Sequence, residues 1–226
     1  MTLTTAYAAL GTGAAVWALL VSRLTAKPWQ TQDAVGALRE GGATELPPAK
    51  IGLFVFLGVV TSLFGLFMTA YHMRMLDGMQ HGDWHNFPVP PLLWANTAAL
   101  MLGSAAMQWA RAAAERGARD ALRLRLALGG LLTLAFLVGQ LLAWRAVSGT
   151  AYFAAGNPAV AFFYLLTAVH GLHLLGGLVV WASTVRRLSL PDVRPLDARL
   201  TVGLCTVYWH YLLLVWLVLF GLLLST

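Results

Sequence analysis

All nine acidic residues of this 226-residue chain (Asp33, Glu40, Glu45, Asp77, Asp83, Glu115, Asp120, Asp192 and Asp197) stand outside its long apolar runs. A bilayer imposes that segregation, because a charged side chain at the centre of a spanning helix costs roughly 2.5–3.5 kcal/mol on insertion scales. Composition agrees: 59% of residues are hydrophobic and 11% charged, where a soluble domain carries about 25% charged residues. A water-soluble enzyme, a disordered chain and a nucleic-acid module with a solvated surface are thereby excluded. The single cysteine, Cys205, excludes an internal disulfide framework and any Cys-based zinc or iron–sulfur site.

A spanning helix needs about 20 mostly apolar residues. Six candidates meet this, near Thr5–Ser22, Ile51–Met73, Pro91–Ala110, Leu124–Val147, Pro158–Val185 and Leu200–Leu224. The first has no positive charge before it and is followed by Arg23 and Lys27. A retained helix with an outer N-terminus is expected there rather than a signal peptide. The connections carry four, one, five, one and four basic residues in turn. These are Arg23, Lys27, Arg39 and Lys50; Arg74; Arg111, Arg116, Arg119, Arg123 and Arg125; Arg145; and Arg186, Arg187, Arg194 and Arg199. The positive-inside rule then predicts cytoplasmic first, third and fifth connections, with both termini on the outer, periplasmic side. Every proline falls in a connection or a first helical turn, where its missing N–H does no harm. The expected fold is an all-α integral membrane bundle of six transmembrane helices. Residues 1–50 form an N-terminal helix and cytoplasmic connection with a short surface helix near Thr31–Arg39, and residues 51–226 form a five-helix bundle.

No Asp, Glu or Lys lies within a span, which argues against this chain itself translocating charge. The polar groups inside are Asn96, Ser104, Gln108, Thr133, Gln140, His170, His173 and His210. His170 and His173, three residues apart, share a helix face. Thr167, His170, His173/Leu174 and Gly177 form one small-polar stripe, and Gly203, Thr206 and His210 form another. The two are expected to face each other or a partner subunit. At 1.5 Å per residue all three histidines lie near mid-membrane. Axial ligation of a b-type haem by His170 and His210 is one reading. Imidazoles hydrogen-bonded across helices is the other, and the one expected here. A second cluster, Tyr71 to His85, is rich in histidine and methionine, which suit Cu(I). Its spacing matches no defined copper motif, so a helix end followed by a solvated turn is expected. Several tryptophans sit near helix ends as interfacial anchors should. Trp209 and Trp216, two turns apart, are expected to form a lipid- or subunit-facing stripe. Phosphate loops, nucleophile elbows and zinc-hydrolase spacings are absent from the sequence.

Ala168-Val169-His170-Gly171-Leu172-His173-Leu174-Leu175-Gly176-Gly177 resembles the "HGLHV…G" segment of haem–copper cytochrome c oxidase subunit III. Tyr208-Trp209-His210-Tyr211-Leu212-Leu213-Leu214-Val215-Trp216-Leu217 resembles that family's closing "YWHFVDVVWLFLF". Pro91-Leu92-Leu93-Trp94-Ala95-Asn96-Thr97 is similar to its "LPLLNT", and Phe64-Gly65-Leu66-Phe67 to part of its "AGFFWA". The resemblance covers about Ile51 to Leu224. It implies a non-catalytic subunit III of a respiratory haem–copper oxidase, active in aerobic electron transport from cytochrome c to oxygen, with protons moved by the whole complex.

The resemblance further implies contact with subunit I above all and with subunit II. Haem and copper belong to those partners, phospholipid is bound, and no cofactor, metal or catalytic residue resides in this chain. His170, His173, Tyr208, Trp209, His210, Trp216 and Asn96 are the implied packing, lipid or subunit-contact residues, and a bacterial inner membrane is the implied location. Two family carboxylates have no counterpart: Gly58-Val59-Val60-Thr61-Ser62 replaces an "SEVMFF"-like run, and Leu213 replaces the aspartate of "YWHFVD". A subunit of a quinol oxidase or nitric oxide reductase complex and a stand-alone b-type cytochrome are the alternatives.

Overall fold

The computed structural model describes residues 48–86, 88–154, 156–188 and 195–225. Five long helices and one short turn of helix account for nearly all of them. We label them α1 (Pro48–His81), α2 (Leu92–Glu115), α3 (Arg119–Ser148), α4 (Ala151–Ala154), α5 (Pro158–Leu188) and α6 (Pro195–Leu224). The protein is thus all-α across the described residues. The expected helices at Thr5–Ser22 and Thr31–Arg39 lie outside them. Two compact units divide the chain, Met1–Val60 and Thr61–Thr226. Of the first, residues 48–60 are described, all within α1.

Each long helix starts and stops for a local reason. Pro48, Pro158 and Pro195 occupy the first positions of α1, α5 and α6, where a fixed φ helps and no N–H is needed. Asn157 caps α5, its Oδ1 accepting the Ala159 N–H at 3.1 Å. Gly82 and Gly117 follow α1 and α2 with φ of 76° and 72°, a left-handed conformation that other residues adopt only at a cost. After α2 the Ala118 N–H reaches back to the Ala113 carbonyl at 3.0 Å, closing the helix end in the manner such glycines permit.

Four stretches are long and apolar enough to cross a membrane: Ala49–His81, Arg119–Ser148, Pro158–Leu188 and Ala198–Leu224. Each exceeds the hydrocarbon thickness of about 30 Å at 1.5 Å per residue. The helix expected over Pro91–Ala110 forms as α2, but it is less apolar. It carries Asn96, Thr97, Ser104 and Gln108 among many alanines. Neighbours shield it instead: Leu93, Leu100, Ala106, Met107 and Ala110 are wholly buried, and α2 packs chiefly on α3 and α6. Small residues permit the close α2–α3 approach. A Cβ on Gly129 would meet Met107 Sδ at 2.9 Å and the Gly103 carbonyl at 3.5 Å.

The turn after α1 is clamped rather than loosely solvated. The Asp83 and Trp84 N–H groups both reach the Gly78 carbonyl, at 3.1 and 3.3 Å. The Arg74 guanidinium forks onto both Asp83 oxygens, one contact at 3.2 Å. Trp84 packs edge-on against Tyr71 at 5.2 Å and lies near Phe162. Asn157 brackets the His85 backbone, accepting its N–H at 3.4 Å and donating to its carbonyl. Any Cβ on Gly78 would crowd Arg74, Asp83 and Trp84 at 2.7–2.9 Å.

The Arg74 hydrogen bond, more than its charge, holds the Asp83 carboxyl below the usual carboxylate range. A carboxylate depressed on folding contributes stability that is present above its unfolded pKa, near 3.9, and lost as pH falls through the folded value. The stability difference between the parent protein and Asp83→Asn, followed by thermal unfolding in detergent, should therefore hold steady between about pH 5 and 8. It should begin to shrink below about pH 4 and vanish once pH has fallen through the folded value.

Candidate functional site

Hydrocarbon offers no water to a polar group, so each indole N–H inside the bundle must find an acceptor within the protein. Three find the same one. Trp216 Nε1 donates to Thr97 Oγ1, Trp209 Nε1 to Thr133 Oγ1, and Trp144 Nε1 to Thr167 Oγ1, each at 2.9 Å. A helical threonine can donate its hydroxyl proton to the carbonyl four residues back, which leaves its lone pairs to accept from outside. Thr97, Thr133 and Thr167 do so, to Leu93, Gly129 and Phe163 at 2.8, 2.8 and 2.6 Å. These relays tie α6 to α2, α6 to α3, and α3 to α5. Trp181 adds a bond to the Leu126 carbonyl at 3.0 Å, its ring lying over Gly130, where a Cβ would displace it.

Trp209 and Trp216 are 1% and 0% exposed. The expected lipid- or subunit-facing stripe is not what forms, because both rings are buried within this chain. Their indole N–H groups turn that face of α6 inward, where threonines wait. Trp94 and Trp109, near the two ends of α2, are exposed, as interfacial anchors are.

The three imidazoles have three different settings. His170 is fully buried and enclosed by Trp216 at 5.3 Å, Phe136 at 5.8 Å and Phe64 at 6.4 Å between ring centroids. Neither of its nitrogens has a hydrogen-bond partner. His173 also packs on Phe64, at 5.4 Å, as a shared helix face requires, and its Nδ1 lies 2.7 Å from the Val169 carbonyl. His210 lies outside this seam, exposed on α6. Its Nδ1 is 2.5 Å from Ser104 Oγ and its Nε2 3.2 Å from Gln108 Oε1, both on α2. His210 thus bonds across helices in the expected way.

The expected meeting of two small-polar stripes also fails. Thr167, His170, Leu174 and Gly177 are buried on α5, but Gly177 receives the Tyr208 ring, since a Cβ there would stand 2.7 Å from Tyr208 Cε1. Tyr208 Oη donates to the His173 carbonyl at 3.0 Å. Thr206 and His210 instead address α2, Thr206 Oγ1 reaching the Met107 carbonyl at 3.2 Å. A one-residue difference in helix register, 100° of rotation, separates Trp209 from His210 and sends them to different neighbours.

This arrangement does not fit a bis-imidazole haem. Phe136 and Trp216 fill the space beside His170 that a porphyrin would take, and both His210 nitrogens are engaged by α2. Among the described residues no group of three or more His, Cys, Asp or Glu side chains could hold a metal ion. In the His/Met turn, His81 Nδ1 contacts the Asp77 carbonyl at 2.9 Å, and Asn157 holds His85 through its backbone. Asn96 is buried, its amide lying where a Cβ on Gly139 would be. Ser104, Gln108 and Thr133 stand out in the sequence as polar groups inside spans and Thr167 as part of a small-polar stripe, but which side chain each one meets is not legible there. The only signal there was the general demand that intramembrane polar groups be satisfied.

The family model described as cytochrome c oxidase subunit III matches residues 44–224. The "Probable cytochrome c oxidase subunit 3" of Mycobacterium bovis is 29% identical over 175 residues, covering 76% of this chain and 84% of the relative. "Cytochrome c oxidase subunit 3" of Corynebacterium diphtheriae is 28% identical over 175 residues, with the same two coverages. That of Thermostichus vulcanus is 28% identical over 189 residues, covering 80% of this chain and 89% of the relative.

Thr133→Val keeps the shape of the side chain but leaves the Trp209 N–H without its acceptor. It should destabilise the detergent-solubilised protein by about 0.5–2 kcal/mol. Trp209→Phe made on that background should cost less than in the parent, as read by a double-mutant cycle of thermal unfolding.

Proposed function

The chain belongs to the cytochrome c oxidase subunit III family, a multi-pass membrane subunit of a haem–copper oxidase complex, and from that premise we propose that it is a non-catalytic packing subunit of the bacterial inner membrane. The observation that carries this reading is the family match over residues 44–224. The interior chemistry supports it. Indoles and threonines pair across helices and His210 bonds Ser104 and Gln108, which is the behaviour of groups that hold helices together. Haem and copper, with the electron and proton chemistry they supply, then belong to the partner subunits, and oxygen reduction takes place there.

In this reading six helices cross the membrane, the first within residues 1–50 and the other five within 51–226. Both termini lie on the outer side, and the arginine-rich connection between α2 and α3 lies in the cytoplasm. Subunit I is the main contact and subunit II a lesser one, with phospholipid along the exposed aliphatic faces. His170, His173, Tyr208, Trp209, Trp216 and Asn96 hold the seam of the bundle. His210 serves at its surface.

Gentle purification through a tag on this chain tests the reading. A reduced-minus-oxidised spectrum of the preparation should show haem bands only while large oxidase subunits co-purify. The chain stripped of them should be colourless; haem retained by the isolated chain overturns the proposal. His170→Ala opens a cavity among Phe64, Phe136 and Trp216. It should lower the yield of complex per tagged chain without altering the haem spectrum of the complex that remains.

A further inference from the structure

His210 lies about midway along the apolar stretch Ala198–Leu224, on the order of 18–21 Å from either end. It is nonetheless exposed, as is Gln108 beside it. The Gln108 oxygen can only accept, so His210 Nε2–H donates to it, and in a singly protonated ring Nδ1 accepts from the Ser104 hydroxyl. That relay satisfies both imidazole nitrogens. It leaves the two amide N–H donors of Gln108 at the surface of the bundle, with no partner among the described residues.

On α3 and α5 the outer faces are aliphatic where they would meet lipid. Leu131, Leu134 and Val138 of α3 and Val179 and Val180 of α5 are all exposed. Hydrocarbon tails suit those faces. They supply no acceptor to an amide, and headgroups lie too far away from mid-span. Next to the amide, His210, Leu213, Leu214, Leu217 and Val218 line an open groove. These positions repeat at i, i+3, i+4, i+7 and i+8 along one face of α6, the pattern that receives the ridge of another helix.

We propose that this α2/α6 face seats a membrane-spanning helix of another oxidase subunit, whose hydrogen-bond acceptor takes the Gln108 amide while its aliphatic side chains fill the α6 groove. The proposal rests on the reading of the chain as one subunit of a larger complex, which requires that some face be covered by another polypeptide. This is the face whose chemistry asks for a polypeptide rather than a lipid. Ser104 and His210 are positioning residues: they fix the Gln108 oxygen inward and so turn the amide N–H groups towards the incoming helix.

Photo-crosslinking in intact membranes tests it. Benzoylphenylalanine is placed at Leu214 or Leu217 in the groove and, as controls, at Leu134 or Val179. The tagged chain is purified, and the haem content and the mass-spectrometric identity of each adduct are read together. The expected result is an adduct of the groove positions with another oxidase subunit and none from the controls. Groove adducts confined to lipid, to a second copy of this chain or to its own residues 5–22 would overturn the proposal. Haem co-purifying without a groove adduct also sinks it but leaves the subunit reading standing, whereas failure of any haem protein to co-purify sinks both. Gln108→Leu gives a second measure. It should lower haem per tagged chain by about threefold, the equivalent of one intramembrane hydrogen bond of about 0.6 kcal/mol. The same substitution removes the acceptor of His210 Nε2, which lowers the thermal stability of the isolated chain, so haem is compared per folded chain. Equal haem retention by Gln108→Leu and parent would count against the acceptor.

Discussion

An indole N–H in hydrocarbon has nowhere to go but to another part of the protein, and this bundle is organised around that constraint. A threonine on one helix returns its hydroxyl proton to its own backbone and offers its lone pairs to a tryptophan on the next. The pairs Trp216–Thr97, Trp209–Thr133 and Trp144–Thr167 link four helices without placing any charge inside the membrane. Each bond is modest in energy. Its value lies in orientation, because an indole is large and rigid and its single donor fixes how the ring enters the neighbouring helix. Where the ring arrives, a small residue has made room, as Gly130 does for Trp181 and Gly177 for Tyr208.

The same constraint sorts the histidines. His170 sits among aromatic rings and acts by shape, while His210 is fully engaged by Ser104 and Gln108. His170 is walled in by rings although neither nitrogen is hydrogen-bonded, and both His210 nitrogens are engaged by α2, so the reading of the pair as haem ligands loses its geometric basis. An electron carrier would need a cofactor volume where this bundle has Phe136 and Trp216. A supporting subunit needs helices tied to one another, as the tryptophan–threonine pairs tie four of them here. One outer face carries His210 and Gln108 exposed at mid-membrane depth beside an open apolar groove of α6, while the outer faces of α3 and α5 are aliphatic.

At the end of α1 a different economy holds. There the chain returns to water, and charges reappear: Arg74, Asp77 and Asp83 hold the turn while Trp84 tucks against Tyr71 and Phe162. Asn157 joins that turn to the start of α5. The histidines and methionines of the segment, which looked like metal chemistry in the linear sequence, are distributed around a helix end stabilised by an ion pair and by backbone capping.

Helix positions were legible in the linear sequence because a membrane enforces them residue by residue. Acids are expelled, apolar runs reach about 20 residues, prolines retreat to first turns, and the described helices begin and end within a few residues of where those rules put them, with longer ends at α1 and α6. The family was legible in the motifs around His170 and His210. The direction each side chain takes around its helix was not, because a span that is apolar on nearly every side has almost no periodic signal to say which face is inward. Trp209 and His210 are neighbours in sequence, yet one is sealed in the core and the other stands at the surface. Only the packing of α6 against α2, α3 and α5 decides that, by supplying Thr133 as an acceptor on one side and Ser104 with Gln108 on the other.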